Sequence, residues 1–146
     1  MLIGFGAPVS GAWATPANQV AISQRAEELG YASLWTFSRL IYSDWPEPMR
    51  LAPPYRSVHD PIVIASFLAG VTQRIRLGIG VSVLPLEHPR KVAEDVAVLD
   101  HLSGGRVDLG VGRGIQPEAF HGFDVPMSES TERFAEALEI IRRAWT

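Results

Sequence analysis

Short apolar runs alternate four times with segments of helical period along the chain. Residues 2–6, LIGFG, form the first candidate strand. Residues 16–29 predict a helix, with Ile22, Ala26 and Leu29 at the i, i+4, i+7 spacing of one apolar face. Thr15-Pro16 opens that helix with a capping hydroxyl and a proline whose missing N–H costs nothing in the first turn. Gly30 closes it. Residues 31–37 read as a second strand and 60–72 as a second helix, opened by Asp60-Pro61 in the same way. Residues 74–84, RIRLGIGVSVL, make an almost continuous run of the kind expected when both faces of a strand are covered. His88-Pro89 opens a third helix with Val92, Val96 and Leu99 on one face. Residues 106–112 predict the fourth strand. After a loop containing Phe120-His121-Gly122-Phe123, residues 128–145 predict the last helix, with Phe134, Leu138 and Ile141 aligned and acidic residues near its positive pole.

Strict alternation of apolar strand and helix implies crossover connections and a parallel sheet, so the class is α/β. Two closures compete, an open doubly wound sheet and a (β/α)8 barrel, which typically takes about 250 residues. Four units in 146 residues amount to half a barrel. Either the chain is the front part of a longer enzyme, or two half-barrels cover each other's open edges. The break in the pattern is residues 38–59, which hold Trp45, Pro46, Pro48, Pro53 and Pro54 and are too long for a simple connection. Trp35, Phe37, Trp45 and Tyr55 are placed to line an apolar pocket beneath this irregular loop.

Composition narrows the function. Apolar residues make up 47% and charged residues 20%, a globular balance, and one domain is expected at this length. A net charge of −3 offers no general attraction for nucleic acid or an anionic membrane, so any anion site must be local. Without cysteine there is no disulfide framework, no thiolate nucleophile and no sulfur-ligated metal. The N-terminal MLIGFGAPVSGAWA lacks a basic leader and breaks at glycine and proline, and no run reaches the roughly 18 apolar residues of a membrane span. A cytoplasmic location is the expectation.

The stretch SGGRVDLGVGRG carries the candidate chemistry. Ser103, Gly104 and Gly105 end the third helix and turn the chain into the fourth strand. Gly110, Gly112 and Gly114 bracket the strand's carboxyl end, where α/β folds bind ligands and where residues without Cβ let a flat or charged ligand approach. Arg113 falls on the first loop residue, and its planar fork of donors suits a phosphate. On spacing alone, pairing with Glu118 or Asp124 is an equal alternative. The pattern is neither GxGxxG opening a helix nor a Walker loop, which disfavours a dinucleotide fold.

From Arg74 to Thr146, the combination of RIRLG, HP, LDHLSGGR and GVGRG at these spacings resembles the luciferase-like monooxygenase superfamily. That group includes bacterial luciferase, flavin-dependent alkane and alkanesulfonate monooxygenases, and deazaflavin-dependent reductases. The resemblance extends over essentially the whole chain. It implies a (β/α)8 barrel of which residues 1–146 are the N-terminal half, with a flavin at the carboxyl ends of the strands. It matches Arg113, flanked by Gly112 and Gly114, to the arginine that contacts the FMN phosphate. It also matches Gly80-Val81 to a non-prolyl cis peptide in a bulge behind the flavin ring. The chain departs from the pattern after the second strand, where many members carry an acidic residue and histidines. Here stand Ser38, Arg39 and Leu40, leaving Ser38 and Arg39 as candidates for binding the cofactor, or Arg39 for an anionic substrate.

Among the histidines, His59 caps the proline-rich loop, His88 adjoins a helix-starting proline and His101 lies at the negative pole of the third helix. His121 alone is placed to reach a bound ring, and it is the catalytic candidate. No pair has metal-ligand spacing, so no metal is expected. The resemblance implies a monooxygenase in which reduced FMN, supplied by a flavin reductase, reacts with O2 and oxygenates a small organic substrate. An alternative is hydride transfer with the deazaflavin coenzyme F-420. From another class comes a truncated, non-catalytic flavin-binding or assembly subunit, since the chain ends at Ala144-Trp145-Thr146 without a helix stop or a further strand. A homo-oligomer is expected, with no nucleic-acid or membrane partner.

Overall fold

The apolar runs pair as four parallel strands: β1 (Gly4–Gly6), β2 (Ser33–Thr36), β3 (Arg76–Val83) and β4 (Val107–Gly112). They lie in the order β1-β2-β3-β4, each beside its sequence neighbour. The structure, a computed structural model, describes residues 1–42 and 52–146, and Trp45, expected on the pocket wall, lies outside them. The helices are α1 (Pro16–Glu28), α2 (Pro61–Val71), α3 (Pro89–Ser103), α4 (Pro117–Gly122) and α5 (Ser130–Ala144).

Local chemistry sets most of these boundaries. The Thr15 hydroxyl accepts from Asn18 N–H at 3.2 Å, and Asp60 Oδ1 accepts from Ile62 and Val63 N–H at 3.0 and 2.9 Å, so both proline-started helices carry working caps. Gly104, at φ 73°, closes α3 in a left-handed conformation. The expected loop after β4 contains α4, because Pro117 starts a helix whose Ala119 and Phe120 find a buried place.

Leu34 of β2 and Leu77 and Ile79 of β3 are buried against Ile64 and Leu68 of α2, Val92, Val96 and Leu99 of α3, and Ile141 of α5. Of the expected apolar face of α1, Ala26 is buried and Ile22 half-buried. Leu29 is 59% exposed, and Gln19 and Ser23 turn inward beside Ala26. Gln19 is tolerated there because its amide donates to the Pro8 carbonyl at 3.2 Å and to His59 Nδ1 at 2.8 Å. Leu29 lies beyond the last turn, at the C-cap, where helical period no longer aims it at the core.

Strand register gives the sheet two unlike faces. Phe5, Leu34, Leu77 and Val107 stand side by side toward the helices, and Gly6, Trp35, Gly78 and Asp108 stand side by side on the other face. On that second face Arg76 makes two hydrogen bonds to Asp108, at 2.6 and 2.8 Å. The bonds hold the Asp108 carboxyl below, and the Arg76 guanidinium above, its ordinary pKa. Among the described residues no helix is long and apolar enough to cross a membrane.

Candidate functional site

Parallel strands put all their carboxyl ends at one rim, and the chain there supplies the walls of a cavity of about 520 Å3. That volume suits a drug- or cofactor-sized ligand. Ser38, Arg39 and Leu40 reach it from the segment after β2, Val81 and Val83 from β3, and Gly112, Arg113, Gly114 and Ile115 from the end of β4. Phe120 of α4 closes one side.

The floor is shaped by an irregularity between β3 and β4. Ile79 pairs with Leu109 and Ser82 with Val111, so Gly80 and Val81 together oppose Gly110. The Gly80-Val81 peptide is cis, as the resemblance implies. A Cβ on Gly110 would lie 2.5 Å from the Ile79 carbonyl oxygen, and one on Gly112 2.7 Å from Val81 Cγ2. These glycines therefore admit the bulge itself, and Val81 is the residue the bulge turns into the cavity. Gly114, at φ 80°, would place a Cβ 2.7 Å from Val83. All four glycines expected near the ligand, Gly80, Gly110, Gly112 and Gly114, are thus close to protein atoms, with Trp35 3.3 Å from a Cβ on Gly80.

Arg113 extends from the end of β4 toward the N-terminus of α5. Its Nη1 reaches the hydroxyls of Ser130 and Thr131 at 3.5 and 3.4 Å, near the limit of a hydrogen bond. The alternative pairing with Glu118 or Asp124 is not formed. Arg39 is held differently. Its guanidinium carbon sits 5.6 Å from the centroid of the Tyr55 ring, and Tyr55 packs on Phe37 with ring centroids 5.9 Å apart. Two of its nitrogens, Nε and Nη1, are buried without a hydrogen-bond partner. No Asp or Glu is among the described residues lining the cavity. The donor set fits a ligand that carries negative charge.

Several expected site residues fall elsewhere. Of the expected aromatic wall, Trp35, Phe37 and Tyr55 are not among the residues lining this cavity, and Trp45 lies outside the described residues. Trp35 lies over Gly78 on the open sheet face, where a Cβ on Gly78 would come within 2.4 Å of its ring. His121 is exposed on α4, away from the cavity lining. His59 accepts from Gln19, and His88 occupies the N-cap of α3 without a side-chain capping bond. Among the described residues no cluster of three or more His, Asp or Glu side chains is placed to hold a metal. The sequence reading missed Leu40, Val83, Leu86 and Phe120 as walls. Only Phe120 carried a local signal, three residues after a helix-starting proline.

The family described as luciferase-like monooxygenase matches residues 2–146. The 4-hydroxyprotoasukamycin monooxygenase of Streptomyces nodosus subsp. asukaensis is 33% identical over 129 residues, 88% of this chain and 32% of its own. The crystal structure of the monooxygenase RslO1 from Streptomyces bottropensis superposes with a TM-score of 0.76 at 32% identity, over 98% of this chain and 42% of that one. The oxygenating constituent of 3,6-diketocamphane monooxygenase from Pseudomonas putida, solved in complex with FMN, superposes with a TM-score of 0.79 at 20% identity, over 99% of this chain and 39% of that one. The chain therefore spans about a third of the length of the curated relative and about two fifths of these solved chains. Its fold is of the (β/α)8-barrel type, with four βα units present.

Proposed function

We propose, from the premise that this chain belongs to the luciferase-like monooxygenase family, that residues 1–146 are the N-terminal half of a flavin-dependent monooxygenase barrel and carry part of its cofactor site. The observation behind the reading is the rim cavity, with a loosely engaged Arg113, the β3 bulge at Gly80-Val81 and no acidic lining among the described residues. Arg113 would hold the phosphate of FMN, and Val81 with Gly80 would back its ring, with Gly112, Gly114 and Ser38 beside it. When bound, reduced FMN supplies the electrons that activate O2 for transfer of one oxygen atom to a small organic substrate. The chain's own part is to bind, orient and exclude water, the last through Leu40, Val83, Leu86 and Phe120. A flavin reductase would provide the reduced cofactor. His121 takes no part in this reading, because it stands outside the cavity.

Titration of the full chain with FMN and with riboflavin tests this directly. Replacing Arg113 by Gln should weaken FMN by roughly 10- to 100-fold, the cost of losing charge-assisted bonds of about 1.5–3 kcal/mol, and leave riboflavin nearly unchanged. Equal loss for both ligands, or none, would remove Arg113 from the phosphate site. Saturable binding of coenzyme F-420 with no binding of FMN would replace the oxygenase reading by hydride transfer.

A further inference from the structure

We infer that Arg39 is the recognition group for the carboxylate of an amphiphilic organic acid, and that the substrate taken at this cavity is therefore an anion on an apolar body. The inference rests on the flavin reading above, which occupies Arg113 and leaves Arg39 unexplained. A guanidinium cannot lose its proton to relieve burial, so two buried and unpartnered nitrogens call for an acceptor. The Tyr55 ring lies beside the guanidinium without neutralising it, and among the described residues no carboxylate lines the wall.

Position separates this charge from that of Arg113. Arg39 follows β2 and Arg113 follows β4, the two strands that flank β3, so the arginines reach the cavity from different segments. Arg113 has the Ser130 and Thr131 hydroxyls within reach, whereas Nε and Nη1 of Arg39 have no hydrogen-bond partner among the described residues. At Arg39 the surroundings choose the kind of anion. Leu40, Leu86, Val81 and Phe120 line the same cavity and make its wall largely apolar. A phosphate dianion recruits several donors, whereas a single guanidinium on an apolar wall suits a monoanion with a hydrocarbon body.

The test compares octanoate with 1-octanol, a chain of equal length without charge, by calorimetry on the full chain in the absence of flavin. The wild type should bind octanoate roughly tenfold or more tightly than the alcohol. Arg39→Gln should erase that preference, Arg39→Lys should keep part of it, and both variants should bind FMN within about threefold of wild type. Equal affinity of the wild type for acid and alcohol overturns the inference. So does an Arg39→Gln variant that retains the preference while its circular dichroism and melting match wild type. An FMN loss in Arg39→Gln as large as in Arg113→Gln moves Arg39 to the cofactor and also overturns it, leaving the flavin reading intact. Octanoate selectivity that depends on Arg39 in a chain that binds no flavin supports the anion site while the cofactor reading fails.

Discussion

Glu27 lies on α1, yet it is the turn after α2 that depends on it. Its carboxylate accepts from the backbone N–H groups of Arg74 at 2.6 Å, Ile75 at 2.8 Å and Gln73 at 2.9 Å. Burial works to raise its pKa, and the three donors outweigh it, so the carboxyl titrates below its ordinary range. A folded-state pKa below the unfolded one gives stability that is fully present above the unfolded value and lost as pH falls through the folded value. Glu27→Gln should therefore destabilise the chain by about 1–2 kcal/mol at neutral pH, with the gap to wild type closing in acid as pH falls through the lowered folded-state pKa. Urea midpoints at neutral and acid pH check this; a gap that widens in acid contradicts it. Arg106 is the same lesson in a cation. It is buried, and it donates to the carbonyls of Ser103, Ile75, Ala69 and Thr72 and to the Thr72 hydroxyl without a carboxylate. Neither role was legible in the sequence, because the acceptors and donors come from segments far along the chain. Arg113 and Arg39 were legible as candidates because the end of a parallel strand is a local feature. The place of Trp35 was not, since whether a ring faces a cavity or the open sheet depends on register.

Elements were read well where their ends have local chemistry and less well where packing chooses a face. Thr15-Pro16 and Asp60-Pro61 name their helix starts directly, and the caps form. On α1 the inward residues are Gln19 and Ser23, which no count of apolar spacing selects; Gln19 is paid for by its bonds to Pro8 and His59. The contact of β3 with β4 is the most constrained junction in the sheet, and Gly110 is its critical residue. Its missing side chain leaves room for the Ile79 carbonyl, a rigid backbone atom 2.5 Å from where Cβ would stand. Gly110→Ala should therefore cost about 1–3 kcal/mol through displaced strands, read as a lower melting temperature. It should also weaken FMN, because the bulge that carries Val81 into the cavity moves with it. An unchanged melting temperature would mean that the bulge has slack.

At the scale of the whole molecule, the alternation of strand and helix identified a parallel α/β sheet, and four units are present. What the pattern left open is how the sheet is covered. Helices α2, α3 and α5 pack on one face, and the other carries Trp35, Gly78 and the Arg76–Asp108 pair. Within the sheet, β1 and β4 are the outer strands, and among the described residues each leaves one row of backbone groups without a strand partner. Beside β4, a groove lined by Val96, Val107, Leu109 and Trp145 remains open. Unpaired edges and a bare face lower their free energy by association, so this chain on its own should form homo-oligomers at micromolar concentration. Sedimentation velocity should show mass rising with concentration, and hydrogen exchange should show the outward amides of β4 slowing over the same range. A monomer throughout, with those amides exchanging freely at every concentration, would mean that four βα units are stable with both edges exposed.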